Sequence, residues 1–162
     1  MFSTTILTSL AICFVAVAGS VITTPGKCPN VTVEQNFSFQ KFLGRWYCHG
    51  GSCITHEYTD NKNGTLGFTE TTKQGTTVGT LSRATEVGDG KLLLIFPDIL
   101  DFPREYYILA TDYDQFAVGW SCVVDGSKNY QSSEIFTRER NPSAAVLASA
   151  NAVIDRSGIA KD

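Results

Sequence analysis

Cys48-His49-Gly50-Gly51-Ser52-Cys53, with His56 three residues further on, brings two thiols and two imidazoles into nine positions. Three chemistries compete for such a segment. The thiols can pair as a structural disulfide across a tight hairpin, because Gly50 and Gly51 readily supply the positive φ such a turn needs. They can stay unpaired or labile, since short-loop bridges are often strained and reducible. Or Cys48, His49, Cys53 and His56 can hold a metal. Zinc sites usually combine cysteines two to four residues apart with a second ligand cluster elsewhere. This chain has only two histidines and no second cluster. No metal and no cofactor are therefore expected, and the staple is the favoured reading.

The compartment bears on that choice. The first twenty residues carry no charged side chain, and an apolar run from Ile6 ends in the small-x-small pattern Ala16-Val17-Ala18. This predicts a secretory signal peptide over residues 1–18, with cleavage as late as residue 20, although its start lacks the usual Lys or Arg. The run is shorter than the ~20 apolar residues of a membrane span, and no second run follows, so no stable membrane insertion is expected. Removal of the leader takes Cys13 with it and leaves Cys28, Cys48, Cys53 and Cys122. An even count in an exported chain reads as a disulfide framework with three alternative pairings. Sequons at Asn30, Asn36 and Asn63 offer N-glycosylation sites suited to a secreted, extracellular protein.

Residues 19–162 have the length of a single domain. A formal net charge of −3 without any Lys/Arg cluster argues against nucleic acid as a partner. The composition carries no signal for the oligomeric state.

The elements that must position the cysteines read as strands. Runs rich in β-branched and aromatic residues alternate with turn residues: "CITHEYT" before Asp60–Gly64, "TLGFTETT" before Lys73-Gln74-Gly75, "TTVGTLSRA" before Gly88-Asp89-Gly90, then "KLLLIFP", "REYYILAT", "DQFAVGWSCVV" and "NYQSSEIFTR". With a short piece at Arg45–Cys48 these make eight strands. Short, regular connections suggest an all-β, up-and-down antiparallel barrel, and eight strands enclose room for one small ligand. Phe116, Val118 and Trp120 share one strand face, and Leu92, Leu94 and Phe96 another. "LLLIF" is apolar on both faces, so its outside needs a cover. The expected cover is a C-terminal helix with Asn141 as N-cap, Pro142 at its first position, and Val146, Leu147, Ala150, Val153 and Ile154 on one stripe. Gly158 stands where its C-cap belongs.

Three ordered stretches then carry a resemblance. "FLGRWY" holds Gly44 and Trp46, "ATDYDQFAVGWSC" holds Thr111, Asp112 and Tyr113, and "EIFTRERNP" holds Arg138. In these blocks, in "KCPN", and in the leader and terminal helix, the chain resembles the lipocalin family, specifically its arthropod bilin-binding-protein and apolipoprotein D branch. The resemblance implies that Trp46 plugs the barrel base with Arg138 over its ring, or Arg140 in its stead. Gly44, Thr111, Asp112 and Tyr113 would complete that base as structural residues. It also implies a Cys28–Cys122 disulfide tying the N-terminal segment to a strand. Cys53 matches a family cysteine whose usual partner lies in a C-terminal tail, and the sequence has no cysteine after Cys122. Cys48 is the replacement partner on offer. The stretch between Trp46 and Cys53 is also shorter than in related chains, which cuts back part of the expected lid.

The resemblance implies a secreted carrier that transports a small hydrophobic ligand of lipid, retinoid, pheromone or bilin type. The candidate cavity residues are Tyr58, Phe68, Phe96, Phe116, Val118, Trp120 and Phe136. Tyr47, His56, Tyr107 and Tyr130 are weaker candidates for polar contacts. The competing reading is an extracellular interaction module that meets another protein through the shortened lid. Catalysis is not expected, since no Ser-His-Asp arrangement, carboxylate pair or phosphate-binding loop appears.

Overall fold

Strand-forming sequence and turn residues resolve into nine strands and two helices in a computed structural model that describes residues 21–84, 89–98 and 100–161. The expected leader, residues 1–18 or up to 20, lies outside the described residues. The strands are β1 (Ile22–Pro25), β2 (Gly44–His49), β3 (Cys53–Asp60), β4 (Leu66–Thr72), β5 (Thr76–Arg83), β6 (Lys91–Phe96), β7 (Leu100–Thr111), β8 (Phe116–Asp125) and β9 (Lys128–Thr137). The helices are α1 (Phe39–Phe42) and α2 (Ala144–Arg156).

From β2 to β9 each strand pairs antiparallel with the next, and β9 pairs back onto β2. That closes the expected eight-stranded barrel. Closure leaves no unpaired ladder along most of the wall, which removes the usual edge-strand hazard. The short β1 was not foreseen. It extends the sheet on the free part of β9, with Ile22 opposite Gln131 and Pro25 opposite Lys128, while Ile135–Thr137 pair with β2. Asn129 fixes this addition. Its buried amide donates to the carbonyls of Pro25, Gly26 and Lys27 at 3.1–3.4 Å.

Side chains sort into two apolar layers. Inside the barrel lie Phe37, Phe42, Trp46, Tyr58, Leu66, Phe68, Leu81, Leu92, Leu94, Phe96, Tyr106, Ile108, Ala117 and Phe136. Outside, Leu109, Val118 and Trp120 pack with Ala150 and Val153 of α2 and with Ile159, and Phe116 joins their margin. This corrects the expected orientation of β8. Phe116, Val118 and Trp120 do share a face, but it is the outer one beneath the helix. The small residues Ala117 and Gly119 occupy the alternate positions, because a bulky lumenal side chain there would meet Tyr106 and Phe136. A Cβ on Gly119 would stand 2.0 Å from the Tyr106 hydroxyl.

Helix α2 differs from expectation in two further ways. Its N-cap is Ser143, whose hydroxyl accepts from the Val146 amide at 3.3 Å, so Asn141 and Pro142 precede the helix. It packs on β8 and β9, not over β6. A helix starting so soon after β9 reaches its own neighbours first, and Leu93 and Ile95 of β6 are left half-buried.

Cys28 is bonded to Cys122 of β8, 94 residues away. In the chain-entropy account a loop of that size restricts the unfolded chain by roughly 4–5 kcal/mol. The double substitution Cys28→Ser/Cys122→Ser should therefore lower the unfolding free energy by about 2–4 kcal/mol in urea, while the far-ultraviolet dichroism keeps its β-barrel form.

Candidate ligand site inside the barrel

The closed end of the barrel is built around one guanidinium. Gly44 turns into β2 with φ +88° and leaves its Cα side open, since a Cβ would stand 3.6 Å from Arg138 Nη1. Arg138 lies with Cζ 3.7 Å from the centre of the Trp46 ring. It donates to the carbonyls of Tyr113 (2.9 Å), Leu43 (2.9 Å), Arg45 (3.0 Å) and Lys41 (3.1 Å). Trp46 is fully buried and donates its indole N–H to the Phe42 carbonyl at 2.9 Å. Arg140, the alternative candidate, lies over Tyr47 instead.

The β7–β8 turn completes this base. Asp112 Oδ1 accepts from the amides of Asp114, Gln115 and Phe116, and Thr111 Oγ1 accepts from the Tyr113 amide at 2.9 Å. Tyr113 adopts φ +67° and its hydroxyl accepts from the Ser38 amide. These residues satisfy backbone groups, which is the work of turn-forming Asp and Thr.

Above the base a run of rings climbs the lumen. Phe42 touches both Trp46 and Tyr58 with centroids 4.9 Å apart, Tyr58 stacks on Phe68 at 5.9 Å, and Phe68 meets Phe96 edge-on at 5.3 Å. Phe136 faces His56 at 4.9 Å. Of the seven expected cavity residues, Tyr58, Phe68, Phe96 and Phe136 are thus together inside, and Phe116, Val118 and Trp120 are not.

Polar groups sit among these rings. His56 is 3% exposed, and its Nδ1 lies 3.0 Å from the Tyr58 hydroxyl. Its Nε2 stands 3.9 Å from Glu70 Oε1, and neither atom has a hydrogen-bond partner. Tyr106 donates its hydroxyl proton to Glu134 Oε2 at 2.8 Å, leaving Glu134 Oε1 without a partner. Burial raises the Glu134 carboxyl to about 7 against the pull of nearby His56 and of the Tyr106 hydrogen bond, and Glu70 adds repulsion. Burial also lifts the Tyr58 and Tyr106 phenols well above their usual range. The space bordered by His56, Tyr58, Phe68, Leu81, Leu94 and Tyr106 measures about 10 Å³, room for about one water.

Sequence reasoning missed Glu70, Tyr106 and Glu134. Glu70 and Glu134 lie on strands whose alternation puts small or polar residues between the rings, and a polar residue on an inner face looks like a solvent-facing one. Tyr107, a weaker candidate, points outward to Glu105 and Lys91. The other weak candidates, Tyr47 and Tyr130, are half-buried.

Cys48 and Cys53 are bonded to each other across the Gly50–Gly51 hairpin, with Cα atoms 5.6 Å apart and the glycines at φ +97° and +66°. The donor atoms of Cys48, Cys53 and His56 lie within 4.8 Å of one another. With both sulfurs in the disulfide, the group presents one free donor. The sequon side chains Asn30, Asn36 and Asn63 are exposed.

Residues 47–162 match the model of the lipocalin / cytosolic fatty-acid binding protein family. The chain is a lipocalin. It is 32% identical over 138 residues to Lazarillo protein of Schistocerca americana, covering 74% of this chain and 64% of Lazarillo. It is 33% identical over 111 residues to apolipoprotein D of Mus musculus, covering 60% of this chain and 58% of that protein. The matched region thus spans about three-fifths of the length of these relatives. Lobster apocrustacyanin A1 superposes with a TM-score of 0.67 at 21% identity, covering 85% of this chain and 86% of that one. Insecticyanin of Manduca sexta gives 0.66 at 17%, covering 84% and 82%. The sequence likenesses are to Lazarillo and apolipoprotein D, and the structural likenesses show the shared barrel fold. Members of the family are in general binding or carrier proteins.

Two outcomes follow from the geometry. Arg138→Met should destabilise the lipocalin by about 2 kcal/mol, because two part-buried carbonyls lose a charged donor and Trp46 loses its cation. Arg138→Lys should recover less than half of that, since one ammonium cannot reach four carbonyls; urea unfolding followed by Trp46 fluorescence measures both. Glu134 is protonated in the fold and ionised in the unfolded chain between about pH 4.5 and pH 7. Stability from this group is therefore present below pH 4.5 and lost as pH rises to 7, by about 3 kcal/mol. Glu134→Gln should flatten that part of the pH profile.

Proposed function

We propose that this lipocalin is a secreted, extracellular carrier that binds one small hydrophobic ligand in the barrel and transports it. The observation that carries the reading is the lumen itself: a closed barrel lined by rings, with His56 Nε2, Glu70 Oε1 and Glu134 Oε1 buried and lacking partners. Each such atom costs about 1–3 kcal/mol to leave unmet. A ligand that brings a polar group to them and an apolar body to Tyr58, Phe68, Phe96 and Phe136 removes that cost. Burial of about 300 Å² of apolar ligand surface adds about 7 kcal/mol before association costs. Micromolar affinity needs no more.

Export is supported by the charge-free apolar leader, by two disulfides and by the family. Disulfides persist in oxidising compartments. Glycans at Asn30, Asn36 and Asn63 fit this reading, because all three side chains are exposed.

One observation favours the second reading, in which the mouth meets another protein. The space bordered by His56, Tyr58, Phe68, Leu81, Leu94 and Tyr106 is about 10 Å³, while Val78, Phe102 and Val124, near the ends of β5, β7 and β8 opposite the closed base, are about half exposed. A ligand must therefore displace rings on entry.

Native mass spectrometry of the secreted protein, followed by solvent extraction, separates the readings. The expected result is a reproducible mass increment from one small apolar molecule. An empty protein that also leaves Trp46 fluorescence unchanged with retinoids, fatty acids, steroids and tetrapyrroles would sink the carrier reading in favour of the interaction surface.

A further inference from the structure

We infer that the carried molecule bears a primary ammonium group, held inside the barrel by Glu70 and Glu134 with His56 beside them. The inference rests on the carrier reading and specifies the ligand's head group.

The charge and bonding of the lumen point this way. Among the described residues lining or adjoining the lumenal space, two carboxylates each keep one oxygen without a partner, Glu70 Oε1 and Glu134 Oε1. Both residues are at least nine-tenths buried, at 4% and 5% exposed. What is lacking at these atoms is a donor, and an ammonium brings three donors and no acceptor. His56 Nε2, 3.9 Å from Glu70 Oε1 and unpartnered, is a third polar atom at the same place. In its neutral form that nitrogen can accept where the carboxylates accept, so a multi-donor head suits all three.

Size points the same way. The space bordered by His56, Tyr58, Phe68, Leu81, Leu94 and Tyr106 holds one water-sized group at about 10 Å³, and Glu70 and Glu134 adjoin it through His56 and Tyr106. An ammonium is close to water in size, whereas a carboxylate or a fused ring is not. Charge–ring contacts add to this, because Phe68 and Phe136 stand with centroids 5.5 and 4.9 Å from the His56 ring, and aromatic faces attract cations. The apolar tail would run toward the mouth past Phe96.

Arg104 marks the competing chemistry. It shares the lumenal face of β7 with Tyr106, two residues nearer the mouth, and stands over the Phe102 ring at 5.6 Å. Its Nε is buried and unpartnered. A carboxylate-headed ligand would be drawn there, above the acidic pair.

The acidic pair also sets a pH dependence. Glu134 on β9 is faced by Tyr106 from β7, by His56 and Tyr58 from β3 and by Glu70 from β4. Its opposite residue on β8 is Gly119, which carries no charge. With its carboxyl raised to about 7, Glu134 gains its charge between pH 6 and 8, and ammonium binding should strengthen across that interval.

The test titrates the full secreted protein with n-octylamine, 1-octanol and octanoate at pH 8, by calorimetry, and repeats the amine at pH 6. The expected result is octylamine binding at least about tenfold tighter than octanol, weaker at pH 6. Glu70→Gln and Glu134→Gln should each reduce octylamine affinity by about tenfold and leave octanol unchanged. Each variant keeps a hydrogen-bonding oxygen, and circular dichroism confirms that it folds. Equal binding of amine and alcohol, or tighter binding of octanoate, overturns the ammonium assignment and leaves the carrier reading standing. An amine affinity indifferent to both substitutions overturns it too. Failure of all three probes, together with an empty protein in native mass spectrometry, overturns both.

Discussion

The barrel depends on one guanidinium at its closed end. Arg138 is the first residue after β9, the strand that closes the barrel on both β8 and β2. From there it reaches carbonyls on the α1 segment, the start of β2 and the β7–β8 turn. Lys41, Leu43 and Arg45 belong to one short stretch and Tyr113 lies far from it in sequence, so Arg138 ties the chain's entry into the barrel to the β7–β8 turn. A lysine could supply the charge but not the fork of donors, and a planar cation alone can also lie flat on Trp46. Closure of the wall and plugging of the base are thereby one event, and the lumen above inherits a rigid floor.

A rigid floor leaves adaptation to the other end. The hairpin between β2 and β3 is short and is stapled by Cys48–Cys53, so it adds little cover above the rings. What lies above the floor is a layer of rings, Phe68 and Tyr106 among them. That matters because the rings rest where the wall has no side chain. A Cβ on Gly79 would stand 2.3 Å from the Phe68 ring, and one on Gly119 would stand 2.0 Å from the Tyr106 hydroxyl. Phe68 and Tyr106 thus take up space that a side chain at Gly79 or Gly119 would fill, and such rings are displaced more cheaply than backbone.

Much of this was legible in the residues, and the part that was not has a physical cause. Trp46, Gly44 and Arg138 were readable through the family resemblance alone, since a lone buried tryptophan otherwise passes for ordinary core. Eight strands were readable because turn residues punctuate them. The β8 face was misassigned because alternation says only that Phe116, Val118 and Trp120 agree with one another, not whether lumen or helix receives them. Deciding that required knowing where α2 docks, a tertiary fact. Register irregularities at Cys53/Thr55, Leu94/Phe96 and Ile108/Ala110 further break the parity on which such counting relies. β1 escaped notice because Ile22–Pro25 is short and ends in proline, and its pairing is secured by Asn129, over 100 residues away.

The acidic pair was the least legible feature and is the most informative. A glutamate at an inner position reads as an error in the apolar pattern until the barrel closes around it. A mere core would be better served by leucine than by Glu70 and Glu134, since a buried carboxylate with one oxygen unmet lowers stability and an apolar substitute does not. Their position beside rings, a half-satisfied imidazole and a water-sized space is a local conflict between stability and something else. Conflicts of that kind concentrate where a protein binds. At the base of this barrel, by contrast, Arg138 donates to four carbonyls, the Trp46 indole N–H is bonded to the Phe42 carbonyl, and Asp112 Oδ1 accepts from three amides. The two ends differ in that respect: the base is held by satisfied hydrogen bonds, while polar atoms buried among the rings above it stay without partners.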